Sequence, residues 1–423
     1  MSSQIHPKIV IIGAGFGGIA IAKSFKNKPV DVLLVDQHNY HNFQPLMYQI
    51  ATGGLEPDSI AYPVRRIFRN HKNVSFRMTK VLEVNIQEQT INTTIGHISY
   101  DFLVIATGST NNYFNFEPVK DKLLTLKSIP DALNIRSYIY QNLEKALALQ
   151  NGEPIEDIMN IAIVGGGPAG IELAGALAEM KHFVLPKDFP DLDLSKMHIN
   201  LYEAAPKLLG AMSEQASAKT LVYLQELEVN THLNAKVSSY DGQTLTLEDG
   251  STFATDTVIW TAGVKAAPIE GLPKESIIGG NRIIVDCYNE VKNAPQVFAI
   301  GDVAACCITD KDPKGLPMLA PVAQQQGKLL SKNILKRIHN KPMEPFVYKN
   351  KGVMATIGRK KAVVDLPSIR FQGTFAWMVW MFVHIMSLVG FRNRLSAFVD
   401  WMANYFTYDK PLGLIIRPYK RKE

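Results

Sequence analysis

The chain has 423 residues, of which 46% are hydrophobic and 20% are charged, and its formal net charge is +6. This length allows two or three domains with sizeable cores. The net charge is mild and the nucleotide-binding half of the chain has no concentrated basic stripe, which argues against a nucleic-acid-binding protein. No secretory signal precedes the first predicted strand near Lys8, so we expect the chain to fold in the cytoplasm.

The first predicted element is a strand at 9–12, followed by the run Gly-Ala-Gly-Phe-Gly-Gly (13–18) and a helix-forming segment. Gly13 suits the tight turn, Gly15 lets a pyrophosphate approach the backbone, and Gly18 lets the helix pack closely on the strand. The next apolar strand ends in Asp36, 18 residues after Gly18. A carboxylate at that spacing binds a ribose hydroxyl, so the pattern predicts a dinucleotide-binding domain.

A buried strand then leads into the small-residue turn 106–109, and a helical linker is predicted at 128–150. The nucleotide fingerprint returns as a strand at 161–164 and the run Gly-Gly-Gly-Pro-Ala-Gly (165–170), in which Gly165, Gly167 and Gly170 repeat the earlier roles. The two copies lie 152 residues apart. Two such motifs predict two nucleotides held face to face, with electron transfer between them.

The second motif has its own acid, Glu203, after a strand at 197–202. Its spacing is longer because 181–196 forms an insertion rich in Pro and Asp. An acid here repels a ribose 2′-phosphate, which favours NADH over NADPH. A three-stranded meander follows at 234–255, with turns at 241–242 and 249–250. The segments 257–263 and 296–302 then return the chain to the first domain, so the second domain is predicted to be inserted in the first.

The cysteines exclude one class of enzyme. There are three of them, Cys287, Cys306 and Cys307, and no C-x-x-C or C-x4-C spacing occurs. Flavin enzymes that reduce disulfides carry a cysteine pair soon after the first nucleotide motif, so this chemistry is excluded and sulfide oxidation through persulfides is disfavoured. We interpret Cys306 and Cys307 as small buried residues. No metal, iron–sulfur or haem site is predicted.

The last predicted elements form an aromatic and basic tail. Residues 375–389 are almost wholly apolar, but 15 residues fall short of the roughly 20 that a transmembrane helix needs. Residues 395–406 alternate apolar and polar residues at helical spacing, and 359–423 contain eleven Lys and Arg against four Asp and Glu. The pattern favours helices that lie in the headgroup plane of an anionic membrane. A buried core helix, a dimer interface and a true membrane span are the alternatives.

These motifs resemble the two-dinucleotide flavoproteins. Within that superfamily, segments 36–48, 389–395 and 401–408 are similar to the type II NADH dehydrogenases, which are single-subunit NADH:quinone oxidoreductases. The resemblance implies an α/β fold with two Rossmann-like domains, the second inserted in the first, and a C-terminal amphipathic helical membrane-anchoring region. The expected boundaries are 1–115 and 262–340 for the FAD domain, 116–261 for the linker helix and NADH domain, and 341–423 for the anchoring region.

The resemblance also implies the cofactor sites. Segment 41–48 is expected to line the flavin, and Gly301 and Asp302 to close on its ribityl and pyrophosphate end. The residues expected to bind non-covalent FAD are Gly13, Gly15, Phe16, Gly17, Gly18, Asp36, Gln44, Pro45, Ala106, Thr107, Gly108, Gly301 and Asp302. The residues expected to bind NADH are Gly165, Gly167, Pro168, Gly170, Glu203 and Gly263.

Four further residues are candidates for the chemistry. Glu172, in the first turns of the second motif helix, corresponds to a family glutamate between the nicotinamide and quinone sites, although an acid near a helix start is also a common way to stabilise the helix. Gln325 and Gln326 match a glutamine motif of the quinone site, in which Pro321 replaces the first glutamine. Lys361 aligns with a basic residue near the quinone head and could equally be a surface lysine.

The implied reaction is hydride transfer from NADH to FAD, followed by two-electron reduction of a membrane quinone, ubiquinone or menaquinone, without proton pumping. The expected location is the cytoplasmic face of the inner membrane, with peripheral attachment to anionic lipid and homodimer formation. One alternative is a soluble flavin-dependent NAD(P)H reductase that passes electrons to a ferredoxin-like protein. Others are an NADH-sensing flavoprotein and an enzyme whose main acceptor is oxygen.

Overall fold

The computed structural model describes residues 6–149, 155–267, 269–307, 309, 313–407, 413–415 and 417–420. Contacts divide the chain into two units. The first contains 1–42, 62–110 and 264–350, and the second contains 43–61, 111–263 and 351–423. The main segment of the second unit therefore lies between two segments of the first along the chain, as the predicted insertion requires. Residues 43–61, expected in the FAD domain, belong to the second unit. Residues 351–423, expected in a separate anchoring region, also belong to the second unit.

The first unit is built on a five-stranded parallel sheet. Its strands, in spatial order, are Val297–Ala299, Phe102–Ile105, Lys8–Ile12, Asp31–Asp36 and Val74–Met78. These strands are almost continuously apolar because a parallel sheet is covered on both faces. The first motif helix, Phe16–Ser24, and the glutamine helix, Ala320–Ile338, pack closely enough that a Cβ at Gly327 would lie 2.8 Å from the carbonyl oxygen of Gly17.

The rest of the first unit is short elements. An antiparallel sheet contains Val81–Asn85, Thr90–Thr93 and Gly96–Ser99, and a second small sheet contains Ile277–Ile278, Arg282–Ile284 and Ala304–Ala305. The remaining strands and helices are Tyr40–Asn42, Val64–Ile67, Val264–Ala266, Lys274–Ser276, Gly279–Asn281 and Gly301–Val303. The strands Ala61–Pro63 and Ser109–Asn111 straddle a unit boundary.

The second unit repeats the parallel sheet. Its strands, in spatial order, are Leu124–Thr125, Thr257–Trp260, Ile161–Val164, Ile199–Tyr202 and Asn230–His232. The predicted meander is present as the antiparallel strands Val237–Tyr240, Thr244–Leu247 and Thr252–Ala254. A third sheet contains Val353–Thr356, Ala362–Asp365 and Arg370–Gln372. In each unit the glycine motif follows the middle strand of the parallel sheet.

The helices of the second unit include the second motif helix, Pro168–Phe183, and the linker helix, Ile129–Ala148. The linker helix begins with a capping box, because the Ser128 side chain accepts from the Asp131 N–H while the Asp131 carboxylate accepts from the Ser128 N–H. Its predicted last residue, Gln150, lies outside the described residues. The shorter helices are Gln44–Leu46, Met47–Ala51, Pro57–Ile60, Phe114–Lys122, Glu156–Met159, Leu185–Asp188, Leu194–Lys196 and Glu214–Glu226.

The tail forms two C-terminal helices, Thr374–Ser387 and Phe391–Thr407. Tyr408, which ends one of the segments that carry the resemblance, lies outside the described residues. Within the described part of the chain, no helix combines the length and the hydropathy that crossing a bilayer requires.

Candidate functional site

In the first glycine turn, residues 13–18, two glycines are tightly packed and one faces open space. Gly13 has φ +105°, and a Cβ there would overlap the Ala106 carbonyl. A Cβ at Gly18 would overlap the Gly13 carbonyl oxygen, so this glycine lets the helix start against the strand end. At Gly15, in contrast, no atom lies within 4 Å of an added Cβ. The open position adjoins the helix N-terminus, whose free N–H groups favour phosphate.

The second glycine turn, residues 165–170, has the same division. Gly165 has φ +113° and a Cβ there would lie 2.6 Å from the Cα of Ala262. A Cβ at Gly170 would overlap the Gly165 carbonyl oxygen, whereas a Cβ at Gly167 would meet no atom within 4 Å. Pro168 begins the second motif helix, where a missing N–H costs nothing. Both turns therefore present a phosphate cradle of the same design.

The two predicted ribose acids also have matching environments. Asp36 accepts from the Ala14 N–H at 2.6 Å and from the His38 N–H at 2.7 Å. Glu203 accepts from the Gly166 N–H at 2.6 Å and from the Ala205 N–H at 2.7 Å. Each carboxylate thus joins the end of its strand to the glycine turn that begins the neighbouring helix. Carboxylate oxygens retain acceptor capacity beyond these bonds, which a ribose hydroxyl can use.

Hydrogen bonds hold other predicted flavin residues of the first unit in place. The Ser109 hydroxyl donates to the Asp302 carboxylate at 2.5 Å, and Gly301, at φ +75°, donates its N–H to the Gln326 side-chain oxygen at 2.8 Å. The His41 ring Nδ1 lies 2.9 Å from the Ala14 carbonyl oxygen. Burial lowers the pKa of His41, so we assign a neutral ring whose Nδ1–H donates to that carbonyl. Phe16 packs edge-on against this ring, with centroids 5.2 Å apart.

The remaining predicted cofactor residues are divided between the units. Ala106, Thr107 and Gly108 follow a central strand of the first sheet. Gln44 and Pro45 form a short helix of the second unit, where the Gln44 amide donates to the Lys127 carbonyl at 3.5 Å. Gly263 also belongs to the second unit, and an added Cβ would lie 3.2 Å from the Phe114 ring. Their roles toward the cofactors stay predictions.

Glu172 is a buried carboxyl on the second motif helix. Its side chain is 7% exposed. Burial raises the pKa of Glu172 to about 8, and the nearby Thr356 backbone and Trp380 side chain lower it in part. The carboxyl is therefore protonated at neutral pH and can hold a proton beside Trp380.

An apolar cavity of about 100 Å³, partly open to solvent, lies in the second unit and is lined by Trp380. Trp377, Trp380 and Trp401 form much of its wall, and Tyr48 and Gln49 lie at the same cavity. The Trp401 indole donates to Gln49 at 2.5 Å, and the Gln49 amide donates to the Tyr48 hydroxyl at 2.9 Å. Burial raises the pKa of Tyr48, so its hydroxyl stays protonated and can donate. This hydrogen-bonded wall can receive an aromatic ring with carbonyl acceptors.

One histidine packs against a tryptophan of the cavity wall. His384 stacks on Trp380 with ring centroids 4.1 Å apart, and its Nδ1 lies 2.7 Å from the Trp380 carbonyl oxygen. Burial lowers the pKa of His384 to about 4, so the ring is neutral and its Nδ1–H donates. Reasoning from the sequence missed Gln49, Trp380 and His384. The only available signal was the concentration of three tryptophans in the tail.

The predicted quinone residues are engaged in different ways. Gln326 is buried and holds Gly301, whereas Gln325 bonds the backbone of Lys349 through both ends of its amide. Lys361 forms an ion pair with Glu226 at 2.8 Å. Pro321, the departure from the family motif, stands in the first turn of the glutamine helix, where proline is well tolerated. These side chains have structural partners, and their contacts with quinone stay predictions.

Metal-binding side chains do not gather in the parts of the chain described here: no three His, Cys, Asp or Glu side chains form a candidate metal site. Cys306 is buried and Cys307 half-buried, and their sulfurs are 3.3 Å apart.

Comparisons with known proteins agree with this geometry. The sequence model of the pyridine nucleotide-disulphide oxidoreductase family matches residues 7–327, and that of the NDH2 C-terminal domain matches residues 350–408. The type II NADH:quinone oxidoreductase NdhA of Mycobacterium tuberculosis is 34% identical, with 93% of this chain and 86% of that protein covered. The type II NADH:quinone oxidoreductase of Haemophilus influenzae is 30% identical, with 89% and 92% covered.

Solved structures show the same fold at lower identity. NDH2 of Plasmodium falciparum, solved in complex with NADH, superposes with a TM-score of 0.89 at 23% identity and covers 98% of this chain and 100% of that one. The sulfide:quinone oxidoreductase of Aquifex aeolicus superposes with a TM-score of 0.72 at 19% identity, with 95% of each chain covered. The predicted α/β fold with two dinucleotide-binding domains is thereby confirmed.

Proposed function

Because the chain belongs to the type II NADH:quinone oxidoreductases, we propose that its flavin is FAD, held without a covalent bond in the first unit. The protein oxidises NADH and reduces a quinone. The observation that carries the cofactor assignment is the pair of matching glycine turns, each with one open position at a helix N-terminus. When bound, the flavin would supply the two-electron redox chemistry between NADH and the quinone, and the first glycine turn would hold it.

In this assignment the first glycine turn holds the FAD pyrophosphate at Gly15, and Asp36 holds the adenosine ribose. The second turn holds the NADH pyrophosphate at Gly167, and Glu203 holds its ribose. A carboxylate whose oxygens already accept two backbone N–H groups has no proton to donate to a 2′-phosphate and repels its charge. We therefore propose a preference for NADH over NADPH.

We place the quinone head in the tryptophan-walled cavity of the second unit. The Tyr48 hydroxyl can donate to a carbonyl, and the protonated Glu172 holds a proton beside Trp380. Reduction of a quinone to a quinol consumes two protons, and a buried acid with a pKa of about 8 keeps one available at neutral pH. In our proposal Glu172 therefore stores one of these protons. We propose that this reaction pumps no protons, in agreement with the family to which the chain belongs.

The C-terminal helices present an apolar surface that suits a lipid bilayer. Phe375 and Phe382 are each 65% exposed on the first of them, and Phe398 and Val399 are 44% and 54% exposed on the second. Residues 359–423 carry a net charge of +7. We propose that this surface attaches the protein, as a homodimer, to anionic lipid on the cytoplasmic face of the inner membrane.

Replacing Phe382 with serine is expected to weaken binding to vesicles that contain anionic lipid by about tenfold or more, because a buried Phe side chain contributes about 1.5–3 kcal/mol. Vesicle sedimentation measures the partition coefficient. The matched control is Leu221→Ser, which removes an exposed apolar side chain from the helix Glu214–Glu226. Equal partitioning of the two variants would contradict attachment through the C-terminal helices.

Anaerobic stopped-flow absorbance tests the proposed function as a whole. We expect NADH to bleach the flavin much faster than NADPH does, and a soluble quinone analogue to restore its colour. The flavin released by denaturation should chromatograph as FAD. Recolouring by a ferredoxin and not by quinone would identify a soluble reductase instead and would contradict the proposal.

A further inference from the structure

The three cysteines lie in one region of the first unit, although Cys287 is 19 residues before the adjacent pair Cys306 and Cys307 in the sequence. The Phe346 N–H donates to the Cys287 carbonyl at 2.7 Å, and the Cys307 sulfur lies 3.8 Å from the Phe346 carbonyl oxygen. The Cys306 sulfur lies 3.8 Å from the Asp286 carbonyl oxygen. The thiols of Cys306 and Cys307 face each other with their sulfurs 3.3 Å apart.

This pair has the geometry of a chelating dithiol. A disulfide bond is about 2.05 Å long and usually joins residues whose Cα atoms are about 4.4–6.8 Å apart. Neighbouring residues have Cα atoms about 3.8 Å apart, so a direct bond between these two sulfurs is strained. A single atom that bridges the sulfurs needs a longer separation, such as the one observed. Cys306 is fully buried and Cys307 is half-buried, so a reagent reaches Cys307 first.

We propose that Cys306 and Cys307 form a binding site for a thiophilic trivalent centre that bridges both sulfurs, of which arsenite is the simplest. Two S–H bonds and two As–OH bonds break, two S–As bonds form, and two water molecules leave. No electrons are exchanged, so no oxidant or reductant is needed. Cys307 forms the first bond, and the bound arsenic then lies within reach of Cys306.

The Cys306 thiol suits the second step. Burial raises the pKa of Cys306, so this thiol remains protonated and does not start the reaction. Its hydrogen leaves with an arsenic hydroxyl once the arsenic is held by Cys307.

One side chain, Gln326, links the cysteine pair to the proposed flavin site. The Gln326 side chain lies near the Cys306 thiol, although its amide nitrogen makes no hydrogen bond, and its oxygen accepts the Gly301 N–H at 2.8 Å. An arsenic bridge on Cys306 changes the group that lies near this side chain. Since Gly301 and Asp302 form the turn assigned to the flavin, we expect the emission of the bound flavin to change when arsenite binds.

The test is native mass spectrometry and thiol titration of the flavin-loaded protein after incubation with arsenite. We expect one arsenic per chain, with two titratable thiols lost. Cys307→Ser should weaken arsenite binding about a hundredfold. In a chelating pair the second sulfur binds at a high effective concentration, which raises the overall affinity. Cys287→Ser, which removes the exposed cysteine nearby, is the matched control and should bind arsenite as the unmodified protein does.

Equal arsenite affinity of Cys307→Ser and the unmodified protein would overturn the proposal, and so would a product that has lost two hydrogens without gaining arsenic. Cys306→Ser should weaken binding as strongly as Cys307→Ser, and it identifies the second sulfur if it folds. These binding readouts use neither NADH nor quinone. A result that contradicts the proposed function therefore does not contradict the dithiol site. A failure to bind arsenite likewise does not contradict the quinone reductase activity.

Discussion

Replacing Glu172 with glutamine is expected to stabilise the protein at alkaline pH and to leave its stability at pH 4.5 nearly unchanged. Burial raises the pKa of this carboxyl from 4.5 to about 8. Below pH 4.5 it is protonated in both the folded and the unfolded chain. As the pH rises toward 8, the unfolded chain ionises while the folded chain keeps its proton, so the unmodified protein loses stability over that window. The shift corresponds to a loss of about 4 kcal/mol by pH 8.

Thermal unfolding of both proteins between pH 4.5 and 8.5 measures this difference. The gap between the two unfolding midpoints should open steadily with pH and level off above about pH 8. Glu144→Gln, at an exposed position of the linker helix, is the control, and its midpoint should run parallel to that of the unmodified protein. Parallel curves for Glu172→Gln as well would show that the carboxyl is ionised in the folded state.

The same substitution tests the proposed use of the proton. If Glu172 supplies it, the turnover of the unmodified enzyme with quinone falls as the pH rises through about 8, where the carboxyl ionises. In Glu172→Gln this alkaline limb should disappear, with kcat lowered by about 10²-fold, the size of a general-acid contribution. Flavin reduction by NADH under anaerobic conditions should change much less. Equal losses in the two half-reactions would assign Glu172 to structure rather than to proton supply.

The glycine turns show how much could be predicted from the sequence. The close contacts of Gly13 and Gly18 are made with residues of the same strand–turn–helix unit or of the adjacent strand. The Gly18 contact is local, and the Gly13 contact with the end of the adjacent strand recurs wherever this strand–turn–helix pattern forms, which is why both motifs and the acids after them were predictable. The capping box at Ser128 and the turns of the meander are local in the same sense.

The candidate quinone cavity could not be predicted in this way. Gln49 and Trp401 are 352 residues apart in the sequence and meet only through folding. Glu172 is a helix-start acid by sequence, and its raised pKa depends on burial that exists only in the folded chain. The resemblance to the family identified Glu172, but the tryptophan wall has no local pattern that distinguishes it from a membrane-facing helix.

Alanine substitutions at the second and third glycines of each motif should have different effects. The first kind should impair ligand binding and the second kind should impair folding. At Gly167 the backbone has φ −77°, which alanine adopts freely, and an added Cβ meets no atom within 4 Å. Gly167→Ala is therefore expected to keep its unfolding midpoint and its flavin. Its affinity for NADH should fall at least about tenfold, or about 1.4 kcal/mol, because the methyl group occupies the space that the pyrophosphate needs.

Gly170→Ala should instead unfold at a much lower temperature, because its Cβ overlaps the Gly165 carbonyl oxygen and the helix must move away from the strand. Gly15→Ala is the counterpart of Gly167→Ala in the first unit, and it should lower flavin content while NADH binding to the second unit survives. Flavin absorbance, isothermal titration with NADH and thermal unfolding measure the three quantities. Loss of flavin in Gly167→Ala with retention in Gly15→Ala would reverse the assignment of the two nucleotides, since each open position reports on the ligand of its own turn.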